Sequence, residues 1–242
     1  MGHSILVASG KGGVGKSTVT AALAISLAKN KKVLVIDGDA GLRCQDIMLN
    51  LSDRIIYDWG DVLCGNVALS DAVITSELGV HLLPAPLYFS PEFTAEAFAS
   101  MVNAVKDDYD FIFIDAPAGV GPSLALLSKA CKLALIVSGS EAAGIRGACA
   151  AGDALKEYGI VSRRLIINSV KPSLIRNGFM PNLDSVIDRT ELRLIGVLPF
   201  DESISLGAVN GEIKLNEKSL FSKCITAVSR RVDGENVPLT KM

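Results

Sequence analysis

Short runs of aliphatic and β-branched residues recur along the chain, separated by longer stretches with helical periodicity. Ser4–Ser9, Val33–Asp37, Val80–Pro84, Phe111–Asp115, Leu133–Ser138, Arg164–Asn168 and Leu194–Pro199 read as strands. They are nearly continuous apolar runs, not alternating ones, so both faces of the sheet are expected to be covered. Residues 16–29, 91–106, 122–130, 141–158 and 181–190 read as helices, with Ala21, Leu23, Ala24 and Leu27 on the apolar side of the first. Strand–helix alternation of this kind predicts right-handed crossovers and an α/β fold. The expected architecture is a doubly wound, mainly parallel sheet flanked by helices. With no repeat, low-complexity tract or Pro/Ser-rich linker, residues 1–242 read as one domain, and 233–242 as a flexible tail. The segment 171–181, with Pro172, Asn177, Gly178 and Pro181, reads as a mobile loop.

Composition narrows the picture without redirecting it. The residues are 49% hydrophobic but only 5% aromatic, which suits a core of Val, Ile, Leu and Ala. A formal charge of −2 gives no global field for nucleic acid or an anionic membrane. The five cysteines (Cys44, Cys64, Cys131, Cys149, Cys224) contain no C-x-x-C pair, and His3 and His81 lie far apart. Neither a zinc site nor a disulfide framework is expected, and thiols in a reducing cytosol fit the pattern. No apolar run approaches the ~18 residues of a spanning helix. The stretch Ile5–Ala8 is too short for a secretory signal. A cytoplasmic location is therefore expected.

The candidate chemistry begins at Gly10-Lys11-Gly12-Gly13-Val14-Gly15-Lys16-Ser17. This matches G-x-x-x-x-G-K-[ST], the phosphate-binding P-loop, and it lies between a predicted strand and a predicted helix. Glycines let the backbone curl so that its N–H groups converge on an anion, and the following helix adds the positive end of its dipole. Lys16 is expected to reach the β- and γ-phosphates, Ser17 to ligate Mg²⁺, and Thr18 to bond the α-phosphate. An apolar strand then delivers Asp115 to the carboxyl end of the sheet, the Walker B pattern for an acid that holds Mg²⁺ through water. Asp37 and Asp39 end another strand, either as site residues or as a charged turn capping a helix. Asn168 could present donor and acceptor to an adenine edge, or be a strand-end turn residue.

Taken together, Gly10–Thr18, Asp37-Gly38-Asp39-Ala40-Gly41-Leu42-Arg43, Asp115-Ala116-Pro117-Ala118-Gly119 and Gly196-Val197-Leu198-Pro199-Phe200-Asp201 resemble, in order, the motifs of the MinD/ParA family of deviant Walker A P-loop ATPases. The MinD-like members are the nearest, and the resemblance runs from Ile5 to about Lys214. It implies catalytic roles for Lys11, Lys16 and Asp39. Lys11, otherwise a solvated surface lysine, would cross a dimer interface to the partner's nucleotide. Asp39 would orient the attacking water, and Asp37 would join Ser17 and Asp115 around Mg²⁺. Gly10, Lys11, Gly12, Gly13, Val14, Gly15, Lys16, Ser17, Thr18, Asn168, Pro199 and Asp201 would contact ATP or ADP. One departure is Gly121-Pro122, where the family tends to place an acidic residue and then a small one.

The resemblance further implies an ATP-dependent homodimer, an activating protein partner and a task in spatial regulation such as division-site placement. A recruitment scaffold with negligible hydrolysis and a DNA-partition ATPase are the alternatives. Arg163, Arg164, Lys171 and Arg176 could form a DNA-facing patch or be solvated loop charge, and DNA is not the expected partner. Leu220, Phe221, Cys224, Ile225, Val228 and Val232 form an apolar stripe near the end of the chain. The stripe fits an interfacial helix touching the inner face of the membrane, or a last helix packed on the sheet. The tail after it has no aromatic anchor, so it lacks a clear membrane-targeting element.

Overall fold

The computed structural model describes residues 2–179 and 181–240. Its strands are β1 (His3–Ser9), β2 (Val33–Asp37), β3 (Ile74–Thr75), β4 (His81–Leu83), β5 (Phe111–Ala118), β6 (Leu133–Ser138), β7 (Ser162–Val170) and β8 (Arg193–Pro199). Its helices are α1 (Lys16–Ala28), α2 (Gln45–Met48), α3 (Trp59–Leu63), α4 (Leu69–Ala72), α5 (Ala95–Ala104), α6 (Pro122–Ser128), α7 (Ala142–Glu157), α8 (Pro172–Arg176), α9 (Leu183–Thr190), α10 (Glu202–Asn210) and α11 (Leu220–Val232). The strands form one sheet in the order β3-β4-β2-β5-β1-β6-β7-β8. Every pairing is parallel except β3 with β4. The predicted doubly wound α/β sheet is what the chain forms.

Period-two alternation divides the strand residues between two cores. Leu6, Ala8, Leu34, Ile36, Ile112 and Ile114 face one layer, with α5, α6 and α7. Ile5, Val7, Val33, Val35, Phe111 and Phe113 face the other, with α1 and α11. Helix α1 is buried on almost every side, from Val19 to Leu27, as expected of a helix that is apolar all round. Most of the α11 stripe is spent in the core: Phe221, Cys224, Ile225 and Val228 are buried against β8 and α1, while Leu220 is exposed. Gly196 in β8 permits this approach, since a Cβ there would lie 2.2 Å from Val228 Cγ2.

Several predicted boundaries move. The helix expected from 91 starts at Ala95, where Thr94 accepts the Ala97 N–H and caps it. The helix expected from 181 begins at Leu183, capped by Asn182. The expected loop 171–181 contains α8, started by Pro172 at its first turn; Met180 lies outside the described residues. β5 continues past Asp115 to Ala118 and β7 past Asn168 to Val170. The pieces α2, α3, α4 and β3 are too short to carry a period, and α10 went unpredicted although Asp201 caps it. In the tail, the Arg231 guanidinium donates to the carbonyls of Val237 and Pro238, while Lys241 and Met242 lie outside the described residues.

Candidate functional site

Parallel β1, β2 and β5 lie side by side and bring three loops to one edge of the sheet. The loop after β1 is the glycine-rich segment. Gly13 and Gly15 have φ of 78° and 86°, the left-handed turns by which a backbone forms an anion-binding concavity. Gly10 is chosen for space: a Cβ there would sit 1.9 Å from the carbonyl oxygen of Gly147, so loop and α7 meet backbone to backbone. The Gly119 N–H donates to the Ser9 carbonyl at 2.8 Å and ties the loop's origin to the end of β5.

Lys16 begins α1 and points beneath the loop. Its Nζ lies 2.7 Å from Asp115 Oδ1 and 3.1 Å from Ser17 Oγ. Lys16, Asp37 and Asp115 are 6%, 1% and 0% exposed, so a cation and two acids share a dry site. Thr20 Oγ1, one turn along α1, donates to Asp115 Oδ1 at 3.1 Å. Gln45 Nε2 donates to Asp115 Oδ2 at 2.7 Å and to the Ser17 carbonyl at 3.0 Å. Burying charge is costly unless every group finds partners, and here the partners come from three separate segments.

The two acids after β2 differ. Asp37 accepts three backbone N–H bonds, from Asp39 at 3.0 Å, Cys44 at 2.8 Å and Gln45 at 2.9 Å. Trp59 Nε1 closes on the Asp37 carbonyl at 2.8 Å. Burial, and then the Asp115 charge, push the Asp37 carboxyl up to about 6, against the pull of those N–H groups. Asp37 thus holds the turn with oxygens that are already engaged. Asp39 is half-buried; burial raises its carboxyl, while the Lys16 charge lowers it. Burial and the neighbouring acids push the Cys44 thiol up to about 11, which keeps it protonated.

The other candidates lie around this centre. Lys11 is paired with Glu141 of its own chain at 2.8 Å, both side chains more than 40% exposed. Asn168 is buried and donates to the Val14 carbonyl at 2.9 Å, so its nitrogen holds the loop. Ser17 and Thr18 lie in the first turn of α1, and Gly12 borders the loop with nothing nearer than 3.9 Å to an added Cβ. Pro199 and Asp201 stand farther along the same edge, at the end of β8. Asp201 is occupied with the N–H groups of Ser203 and Ile204 as the cap of α10. Sequence reading missed Thr20, Gln45, Trp59 and Glu141. Thr20 was open to detection, four residues after Lys16 on one helix face, but Gln45 and Trp59 sit in short elements without periodicity.

The residues fit a hydrated divalent cation. The acids outnumber the buried lysine, and the carboxamide oxygen of Gln45, whose nitrogen bonds Asp115, is buried without a partner among the described residues. Among the described residues, no three His, Cys, Asp or Glu side chains close on one point. Mg²⁺ keeps several waters and takes few protein ligands, so Ser17 and Asp115 are of the right kind to hold it.

Comparison with known proteins agrees with this geometry. Residues 5–215 match the family described as the CobQ/CobB/MinD/ParA nucleotide binding domain. The septum site-determining protein MinD of Helicobacter pylori is 36% identical over 96% of this chain and 91% of its own length. The Aquifex aeolicus MinC:MinD cell division protein complex contains a chain with TM-score 0.91 and 33% identity, covering 99% of this chain and 98% of that one. MinD of Pyrococcus horikoshii, solved with Mg-ADP, has TM-score 0.86 and 27% identity over 96% of each chain.

Proposed function

From a chain that belongs to the CobQ/CobB/MinD/ParA nucleotide-binding family, we infer a MinD-type ATPase that converts ATP to ADP and phosphate and acts in division-site placement. The observation that carries this reading is the buried Lys16–Asp115 pair beneath the glycine loop. A lysine already stripped of water can exchange one oxyanion partner for another, so a phosphate oxygen takes the place of Asp115. Ser17 and Asp115 would hold Mg²⁺, with Asp37 shaping the turn beside them, and the bound ion would offset charge on the phosphates. Asp39, half-buried and within the field of Lys16, orients the attacking water.

Lys11 completes the partner's site when two subunits meet face to face with ATP bound. Its present partner, Glu141, is released at little cost, since exposed ion pairs contribute only about 0.2–1 kcal/mol. An activating protein partner speeds turnover, and the switch works in the cytoplasm. Phe221, Cys224, Ile225 and Val228 of the α11 stripe are engaged in the core, which favours a packed last helix over an interfacial one. The test is light scattering of the Asp39→Ala variant with ADP and with ATP. A dimer only with ATP, lost again when Lys11→Ala is added, is expected. A monomer under both conditions would remove the switch and leave a nucleotide-binding protein.

A further inference from the structure

The residues expected to surround Mg²⁺ come from three distant segments, yet all of them bond to one residue. Gln45 gives its backbone N–H to Asp37 Oδ2 at 2.9 Å, and its side-chain nitrogen to Asp115 Oδ2 at 2.7 Å and the Ser17 carbonyl at 3.0 Å. It is completely buried, and its carboxamide oxygen has no partner among the described residues. Keeping such an acceptor dry and unpaired is unfavourable, and native proteins retain few of them. A hydrocarbon side chain would remove that oxygen but would also strip Asp115 and the Ser17 carbonyl of the donors Gln45 supplies.

We propose that Gln45 is a positioning residue for the Mg²⁺ site, a latch that holds Ser17 and Asp115 at their working separation and offers its oxygen to a water of the hydrated cation. Outer partners of this kind fix the direction of a ligand and keep it ionised. When Lys16 turns to a phosphate, Asp115 loses one of its donors, and Gln45 and Thr20 are the ones that still hold the carboxylate. The latch also joins the segment after β2 to the loop after β1, so that placing the cation and placing that segment become one event. This inference rests on the nucleotide reading above.

The test measures binding, not turnover. Fluorescent N-methylanthraniloyl-ADP is titrated into the purified full chain, first in EDTA and then across a range of Mg²⁺. In Gln45→Met, which keeps the volume but loses every side-chain hydrogen bond, the Mg²⁺ needed for half-maximal tightening rises about tenfold, while affinity in EDTA stays within about twofold. Gln45→Asn, polar but one methylene shorter, shifts in the same direction by less, and carries the test if the first variant fails to fold by circular dichroism. An unchanged Mg²⁺ dependence, or equal weakening with and without Mg²⁺, would overturn the proposal. Absence of nucleotide binding by the unmodified protein in either condition would overturn instead the reading on which it rests.

Discussion

The two ends of the central strands hold similar groups under opposite conditions. At the carboxyl ends of β1, β2 and β5, Lys16, Asp37 and Asp115 are buried and cross-linked by Thr20 and Gln45. At the amino ends, Lys31 pairs with Asp233 at 2.9 Å in partial contact with solvent. There Lys32 lies 5.0 Å from the Tyr109 ring centre, and Asp110 accepts the Lys32 N–H. Charges at the amino ends are tolerated because water remains available to them. Charges at the carboxyl ends are maintained against desolvation, which a buried ion pair repays poorly. That asymmetry marks one edge as chemistry and the other as surface.

Truncating one acid at each edge tests the contrast most severely. Asp115→Ala strands a buried ammonium together with the donors on Thr20 and Gln45, and is expected to cost the nucleotide-free protein about 3–5 kcal/mol. Asp233→Ala removes only a partly solvated partner and is expected to cost less than about 1 kcal/mol. Urea unfolding of the two variants measures both. Equal losses would erase the distinction between the edges.

Smaller effects come from two glycines of the same loop. Gly10→Ala drives a Cβ onto the Gly147 carbonyl, backbone against backbone, with no flexible side chain to yield. Overpacking of this sort costs about 1–3 kcal/mol. Gly12→Ala meets nothing nearer than 3.9 Å and is expected to unfold within about 0.5 kcal/mol of the parent. A loss in Gly12→Ala to match that of Gly10→Ala would place the constraint in the loop's own conformation and not in its contact with α7.

The difference between these glycines shows what the chain discloses in advance. Spacing alone places Gly10, Lys16 and Ser17, because phosphate binding imposes a local pattern on consecutive residues. Continuous apolar runs likewise place β1, β2, β5 and β6, since burial on both faces leaves no room for polar residues. Contacts that join remote segments leave no such trace. Nothing near Gly10 announces Gly147, and nothing near Gln45 announces Ser17 or Asp115. The Asn168 nitrogen turns to the Val14 carbonyl, a partner far away in sequence. Asp201 is bonded to the first turn of α10. A polar residue at a strand's end satisfies the nearest open backbone group, and only the fold reveals which group that is.

The edges should also answer pH with opposite sign. Asp37 has its carboxyl raised to about 6, so the folded chain holds a proton that the unfolded chain has released. Its contribution to stability is therefore greatest below the ordinary carboxylate value and declines as pH rises toward 6. His81, at the amino end of β4, has its pKa lowered from 6.5 by burial and then by the Lys32 charge, while its Nδ1 lies 2.8 Å from the Tyr109 hydroxyl. Here the unfolded chain binds the extra proton, so this contribution is complete above 6.5 and is lost on acidification. In His81→Gln, urea midpoints between pH 7 and pH 5 should fall by less than in the parent. The difference amounts to a fraction of a kcal/mol because the ring is partly solvated. Parallel slopes in the two proteins would mean that the amino edge does not sense pH through His81, and the contrast in sign would then rest on Asp37 alone.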